Sequence, residues 1–282
     1  MISAFWLALI SGFAHASWNA LAKSPGKERA ATLTALIISL VAAIIRWATM
    51  SHATVELKHL PWIAMAGLGE ATYVYALGMA YARGELALTY TVTRASALVF
   101  IWPLSLLAFS TVPSWLALAA TALVTIGILL TKKNAEAGGV SGWHPGWTLL
   151  TGAAVAVYHT GYKGAVDGGA TQVLAFIGAI TIAIPLLLIA VGREVRAQIP
   201  PLLAEKRMLA AGVLCAASFL LMLEALATAE SGRILGVRNS SVGFALIFAV
   251  LFFKERMSPR QWLGVAVLFG GVAVFGIEQA LR

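Results

Sequence analysis

Four ionisable residues in apolar surroundings fall into two pairs that share one spacing. His15 and His159 are 144 positions apart, and so are Arg94 and Arg238. Ser114 with Ser258, and Gly127 with Gly271, repeat that interval. An imidazole can exchange a proton near neutral pH. A guanidinium stays charged and presents paired N–H donors that suit carboxylate or phosphonate oxygens. Two acids, Glu70 and Glu224, also stand inside apolar runs. They could hold an ammonium group or carry a proton. A charge at membrane depth costs several kcal/mol unless it is paired or lines a wet cavity, so function is the usual reason to keep one. Each also has a structural reading. Either histidine could bond a neighbouring helix, Glu224 could pair with Arg238, and Glu70 with Arg94. Lys163 could snorkel to an interface.

The elements that position these groups are apolar segments. Hydrophobic residues make up 60% of the 282 positions and charged residues only 11%. An ordinary soluble domain has about 25% charged residues. The chain therefore reads as an all-α integral membrane protein embedded in a lipid bilayer. Ten stretches of spanning length fit: 2–22, 30–49, 60–82, 86–108, 113–131, 145–165, 171–191, 208–228, 232–253 and 259–278. The first carries His15, Trp18 and Asn19, for which a discardable targeting segment has no use. The Gly- and Ser-containing segment 132–144 divides the chain into a first five-helix repeat, 1–131, and a second, 145–282.

An odd number of spans per repeat inverts the second copy relative to the first. Most Lys and Arg residues then share one side, including Lys23, Lys27, Arg29, Lys132, Lys133, Arg193 and Lys254. The positive-inside rule makes that side cytosolic and puts both termini outside the cytosol, in a cell inner membrane. The net charge of +8 belongs to these loops and gives no reason to expect nucleic acid as a partner. No phosphate-cradling loop, zinc spacing or nucleophile elbow is present, so neither an enzyme nor a metal or cofactor is expected. The single cysteine, Cys215, excludes an intramolecular disulfide.

Duplicated apolar segments with matched midplane polar residues are the signature of a secondary transporter. His15 lies roughly 18–20 Å down the first stretch and Arg94 at a similar depth, in a core about 30 Å thick. Trp18 and Asn19 share His15's face; Tyr162 and Lys163 accompany His159. Tyr73, Tyr90 and Asn239 complete the expected substrate-binding set with His15, Trp18, Asn19, Arg94, His159, Tyr162 and Arg238. Glu70, Glu224 and Lys163 would couple protons or balance charge. Glu85 and Glu230 precede the fourth and ninth stretches, where helix N-termini favour acids.

The segments HASWNALAK (15–23), YTVTRAS (90–96) and RNSSVGFALIFAVLFFKERMSPRQWLGVAVLFGGVAVFG (238–276) resemble the drug/metabolite transporter superfamily, in its ten-helix EamA-type branch. The resemblance runs over essentially the whole chain. It departs at FSTVPSW (109–115), which lacks the Glu-Arg turn of its counterpart FFKERMSPRQW (252–262). It implies alternating-access transport, commonly export, of small polar metabolites such as amino acids or related zwitterionic and anionic compounds. The protein would act as a monomer or homodimer, with protons as a coupling partner. The other reading is a proton-coupled exporter of hydrophobic or cationic drugs, whose site needs acids and aromatics rather than arginines.

Overall fold

The structure is a computed structural model that describes residues 3–50, 55–83, 86–132 and 145–281, without the side chains of 81–90 and 253. Most of the expected linker, Glu85 and the side chain of Tyr90 thus lie outside the described residues. The described elements are helical: α1 (Ala4–Ala22), α2 (Glu28–Ala48), α3 (Leu60–Arg83), α4 (Leu86–Phe109), α5 (Trp115–Leu130), α6 (Pro145–Asp167), α7 (Gln172–Ala190), the short α8 (Arg193–Ala197) and α9 (Ile199–Leu203), α10 (Lys206–Leu226), α11 (Ser231–Arg238), α12 (Ser240–Phe253) and α13 (Pro259–Ala280). Each of the ten apolar stretches is helical. The ninth is interrupted at Asn239, which separates α11 from α12.

Six segments among the described residues are long and apolar enough to cross a membrane: α2, α4 from Thr91, α7, α10, α11 with α12 up to Phe252, and α13. The chain is a multi-pass membrane protein. Helix α1 falls outside that group because His15 and Asn19 dilute its hydropathy, and α6 carries His159, Lys163 and Asp167. Each of these less apolar helices buries one face against the others, and α1 keeps Trp6, Ile10 and Phe13 exposed. α1 packs on α10, α11 and α12, while α6 packs on α3 and α4. α2 lies on α10, α7 lies on α3, and α5 runs against α13.

Local geometry recurs at the 144-residue interval. Ser114 and Ser258 each cap a helix, accepting the amide N–H of Ala117 and Gln261 respectively. An oxygen there satisfies one of the amides that a helix start leaves open. Ser110 and Lys254 both take φ of 54°, in the left-handed region, just past the ends of α4 and α12. The next amide then reaches back six residues, from Thr111 to Ser105 O at 3.3 Å and from Glu255 to Ala249 O at 3.0 Å. A left-handed residue just past the helix end is the common αL way of stopping a helix. FSTVPSW and its charged counterpart therefore make the same turn. The backbone sets this turn, and the Glu-Arg pair is not needed for it.

The α5–α13 contact is backbone on backbone. A Cβ on Gly127 would stand 2.5 Å from Leu268 N, and one on Gly271 would stand 2.8 Å from Val124 N. Neither neighbour is a flexible side chain, so the only relief is to part the helices. Gly127→Ala should lower the detergent melting temperature, with an overpacking cost of about 1–3 kcal/mol. Gly270→Ala, with open space around it, should be neutral or stabilising by up to about 1 kcal/mol through helix propensity. Equal melting temperatures for the two variants would refute the close-seam account.

Candidate functional site

His15 is the meeting point of the buried cluster. Arg94 Nη2 lies 2.7 Å from its Nε2. Arg238 Nη2 and Trp18 Nε1 lie 3.3 Å and 3.2 Å from its Nδ1. All four side chains are buried, Arg238 to 1% exposure. The matched arginines thus reach one histidine, from α4 and from the last turn of α11.

Arg238 is held by neutral groups. Its Nε donates to Ser11 Oγ at 3.2 Å, its Nη1 to Tyr158 Oη at 3.4 Å, and its Nη2 to Ser218 Oγ at 3.4 Å. The two serines brace each other across α1 and α10. Ser11 Oγ donates to the Ser218 carbonyl at 2.7 Å, and Ser218 Oγ donates to the Ser11 carbonyl at 3.0 Å. Each hydroxyl spends its hydrogen on a backbone oxygen and offers a lone pair to the guanidinium. The Phe219 ring lies 5.0 Å from Arg238 Cζ, within cation–π range. The ion pair weighed between Arg238 and Glu224 does not form, because Glu224 sits on the exposed side of α10.

Around the His15 ring, donors outnumber acceptors among the described contacts. Guanidinium and indole groups can only donate, while a neutral imidazole accepts at one nitrogen and donates at the other. Three donor groups converge on His15, which leaves one ring N–H facing another donor. An oxygen-rich anion placed there would accept from all of them.

A cavity of about 100 Å³ leads inward from Glu28 and Arg29 to His15, Glu70 and Tyr158. Trp18, Asn19, Tyr73 and Phe219 line it as well. Asn19 is fixed by its amide, which donates to the His15 carbonyl at 2.7 Å. Glu70 is 1% exposed, and its Oε1 has no hydrogen-bond partner. The Tyr162 hydroxyl interacts with the Glu70 carboxyl but stops short of ordinary hydrogen-bond geometry. His159 is fully buried beside Tyr158, with ring centroids 4.9 Å apart. Neither of its ring nitrogens is bonded. Asn239 lies at the α11–α12 junction, and its buried amide likewise has no partner.

The structure therefore gathers His15, Trp18, Arg94 and Arg238 into one cluster. It places Asn19, Glu70 and Tyr73 on the adjoining cavity and buries His159, Tyr162 and Asn239 nearby. Two residues stand apart. Lys163 lies toward the other end of α6, bonded to Asp167 Oδ1 at 2.7 Å and to Leu226 O at 3.0 Å. Glu224 faces outward. Tyr158, Ser218 and Phe219 were missed. Their counterparts 144 positions earlier are Ala14, Val74 and Tyr75, so for Tyr158 and Ser218 the repeat carried no matching polar residue. Ser218→Ala removes a bond to the Ser11 carbonyl and an acceptor from Arg238. It should cost about 1–3 kcal/mol, read as a lower melting temperature in detergent. An unchanged melting temperature would mean that the serine brace is not holding the arginine.

Residues 143–277 match the EamA-like transporter family. A solved crystal structure of a protein 15% identical in sequence superposes with a TM-score of 0.71, over 96% of this chain and 94% of that one. At that identity the likeness concerns the fold. No curated protein sequence matches.

Proposed function

The chain belongs to the drug/metabolite transporter superfamily through its EamA-like transporter domain at residues 143–277, and from that premise we propose that it is a secondary transporter of small polar metabolites bearing an anionic group. The observation that carries this reading is the donor surplus around His15 beside the Glu70 carboxyl. Arg94 and Arg238 would take a carboxylate or phosphonate, and Glu70 would take an ammonium or a proton. Amino acids and related zwitterions fit both ends. Trp18, Tyr73 and Tyr158 would wall the substrate.

The mechanism is alternating access by two inverted five-helix repeats, 1–131 and 145–282, joined by the linker 132–144. Support comes from the recurring caps, stops and glycine contacts 144 residues apart, and from α1 and α6 each packing on helices of the opposite half. Ten spans with both termini outside the cytosol of an inner membrane, and export as the direction, complete the reading. The Arg94–His15–Arg238 layer would close one side while the other is open.

One observation favours a second reading. The cavity presents Trp18, Tyr73, Tyr158, Phe219 and Glu70 on its wall, and the two central arginines stand behind His15. An aromatic and acidic wall suits hydrophobic cations. Proteoliposomes separate the readings. Uptake of labelled glycine, L-phenylalanine or aminomethylphosphonate that is lost in Arg94→Ala, in protein that still folds, supports the first. Uptake of tetraphenylphosphonium that survives Arg94→Ala and is lost in Glu70→Gln supports the second. Arg94→Ala with unchanged zwitterion transport would remove Arg94 from the site.

Coupling has its own readout. If Glu70 carries the proton, Glu70→Gln should retain substrate exchange at equal pH but lose its response to an imposed pH gradient. A variant that still accelerates under the gradient would place the proton elsewhere.

A further inference from the structure

Helix α1 borders a hollow at each end. Asn19 lies on the cavity already described, whereas Phe5 lies on a second one of about 500 Å³. At about 1.5 Å of rise per residue, these positions are about 21 Å apart along the helix. The second hollow runs along α11 from Glu230 to Val237, so it stops one residue short of Arg238. Its volume falls in the range of about 300–1,000 Å³ typical of small-molecule pockets.

Ion pairs on two helices edge it. On α6, Lys163 Nζ meets Asp167 Oδ1 at 2.7 Å. On α11, Arg233 Nη2 meets Glu230 Oε2 at 3.2 Å and Glu278 Oε1, from α13, at 2.8 Å. Phe5 and Phe275 add apolar wall. Lys163 and Arg233 are the less exposed partners, at 15% and 9%, while Asp167 and Glu230 keep 40% and 23% exposure and reach the hollow. Both signs of charge face that space from different helices, which matches a ligand with an ammonium and an acid group a few bonds apart. The positions 144 residues before Arg233 and Glu278 hold Thr89 and Asn134, so these two charges have no counterpart at the repeat interval.

We propose that this hollow is a second binding station for small zwitterions, on the far side of Arg238 from the Glu70 cavity. The inference rests on the reading that the central cluster binds such substrates, and it gives the path a charged stop at its other end. The ammonium meets Asp167 and Glu230, and the acid group meets Lys163 and Arg233.

Equilibrium dialysis of the purified full-length protein against labelled glycine, L-phenylalanine and aminomethylphosphonate tests it. The expected result is two molecules bound per chain for at least one probe. Lys163→Gln, at a half-buried position, and Asp167→Asn, at an exposed one, should each remove one of the two while the melting temperature holds. Arg94→Ala should remove the other. One molecule bound to the unaltered protein, or two still bound to both α6 variants, overturns the second station. Binding that ignores Arg94→Ala but falls with the α6 variants sinks the central site and leaves the station standing. No binding of any probe overturns both.

Discussion

A guanidinium cannot shed its proton in a protein, so burying Arg238 dictates what surrounds it. Two serine hydroxyls, a tyrosine hydroxyl, an imidazole and a phenyl ring are turned toward it. They come from α1, α6 and α10, which meet around it. Ser11 and Ser218 fix α1 to α10 at the level of the charge, and Tyr158 brings α6 into the same layer. The crossings of α1, α6, α10 and α11 are therefore placed at the depth where the arginine needs partners.

Neutral partners satisfy the arginine's hydrogen bonds and leave its charge in place. A resident carboxylate in contact would have made the centre electrically quiet and hard to open. Here the nearby acid, Glu70, lies on the cavity wall, and its buried oxygen Oε1 is unbonded. Separating the fixed positive and negative groups by a cavity keeps both available to something that enters. Enclosure by more apolar helices strengthens such interactions, because the low dielectric around them screens little.

Much of this was legible in the sequence. The apolar runs located every long helix to within a few residues, because a span must hold about 20 mainly apolar residues. The shared 144-residue interval marked His15, Arg94 and Arg238, which the structure brings into contact. The convergence of both arginines on His15 was not legible, since it depends on which faces of α4 and α11 turn inward. Tyr158 was hidden beside His159: adjacent residues on a helix point about 100° apart, and the neighbour looked like the functional one. Lys163 matched Asn19 by position, yet the two residues lie at opposite ends of the molecule. Equal spacing in the sequence did not make them neighbours in the fold. Glu224 was placed by its apolar neighbours alone, and nothing in its spacing told which side of α10 it occupied.

The pattern of helix contacts bears on what counts as a unit. α1 rests on α10, α6 on α3, α5 on α13 and α2 on α7, so the broad apolar faces of each half are covered chiefly by the other half. The stretch that matches the EamA-like transporter family, residues 143–277, therefore lacks a complete interior of its own. Cut free, it would present bare helix faces that α1 to α5 cover in the whole chain. A boundary recognisable by sequence is not, in this molecule, a boundary of the packed core.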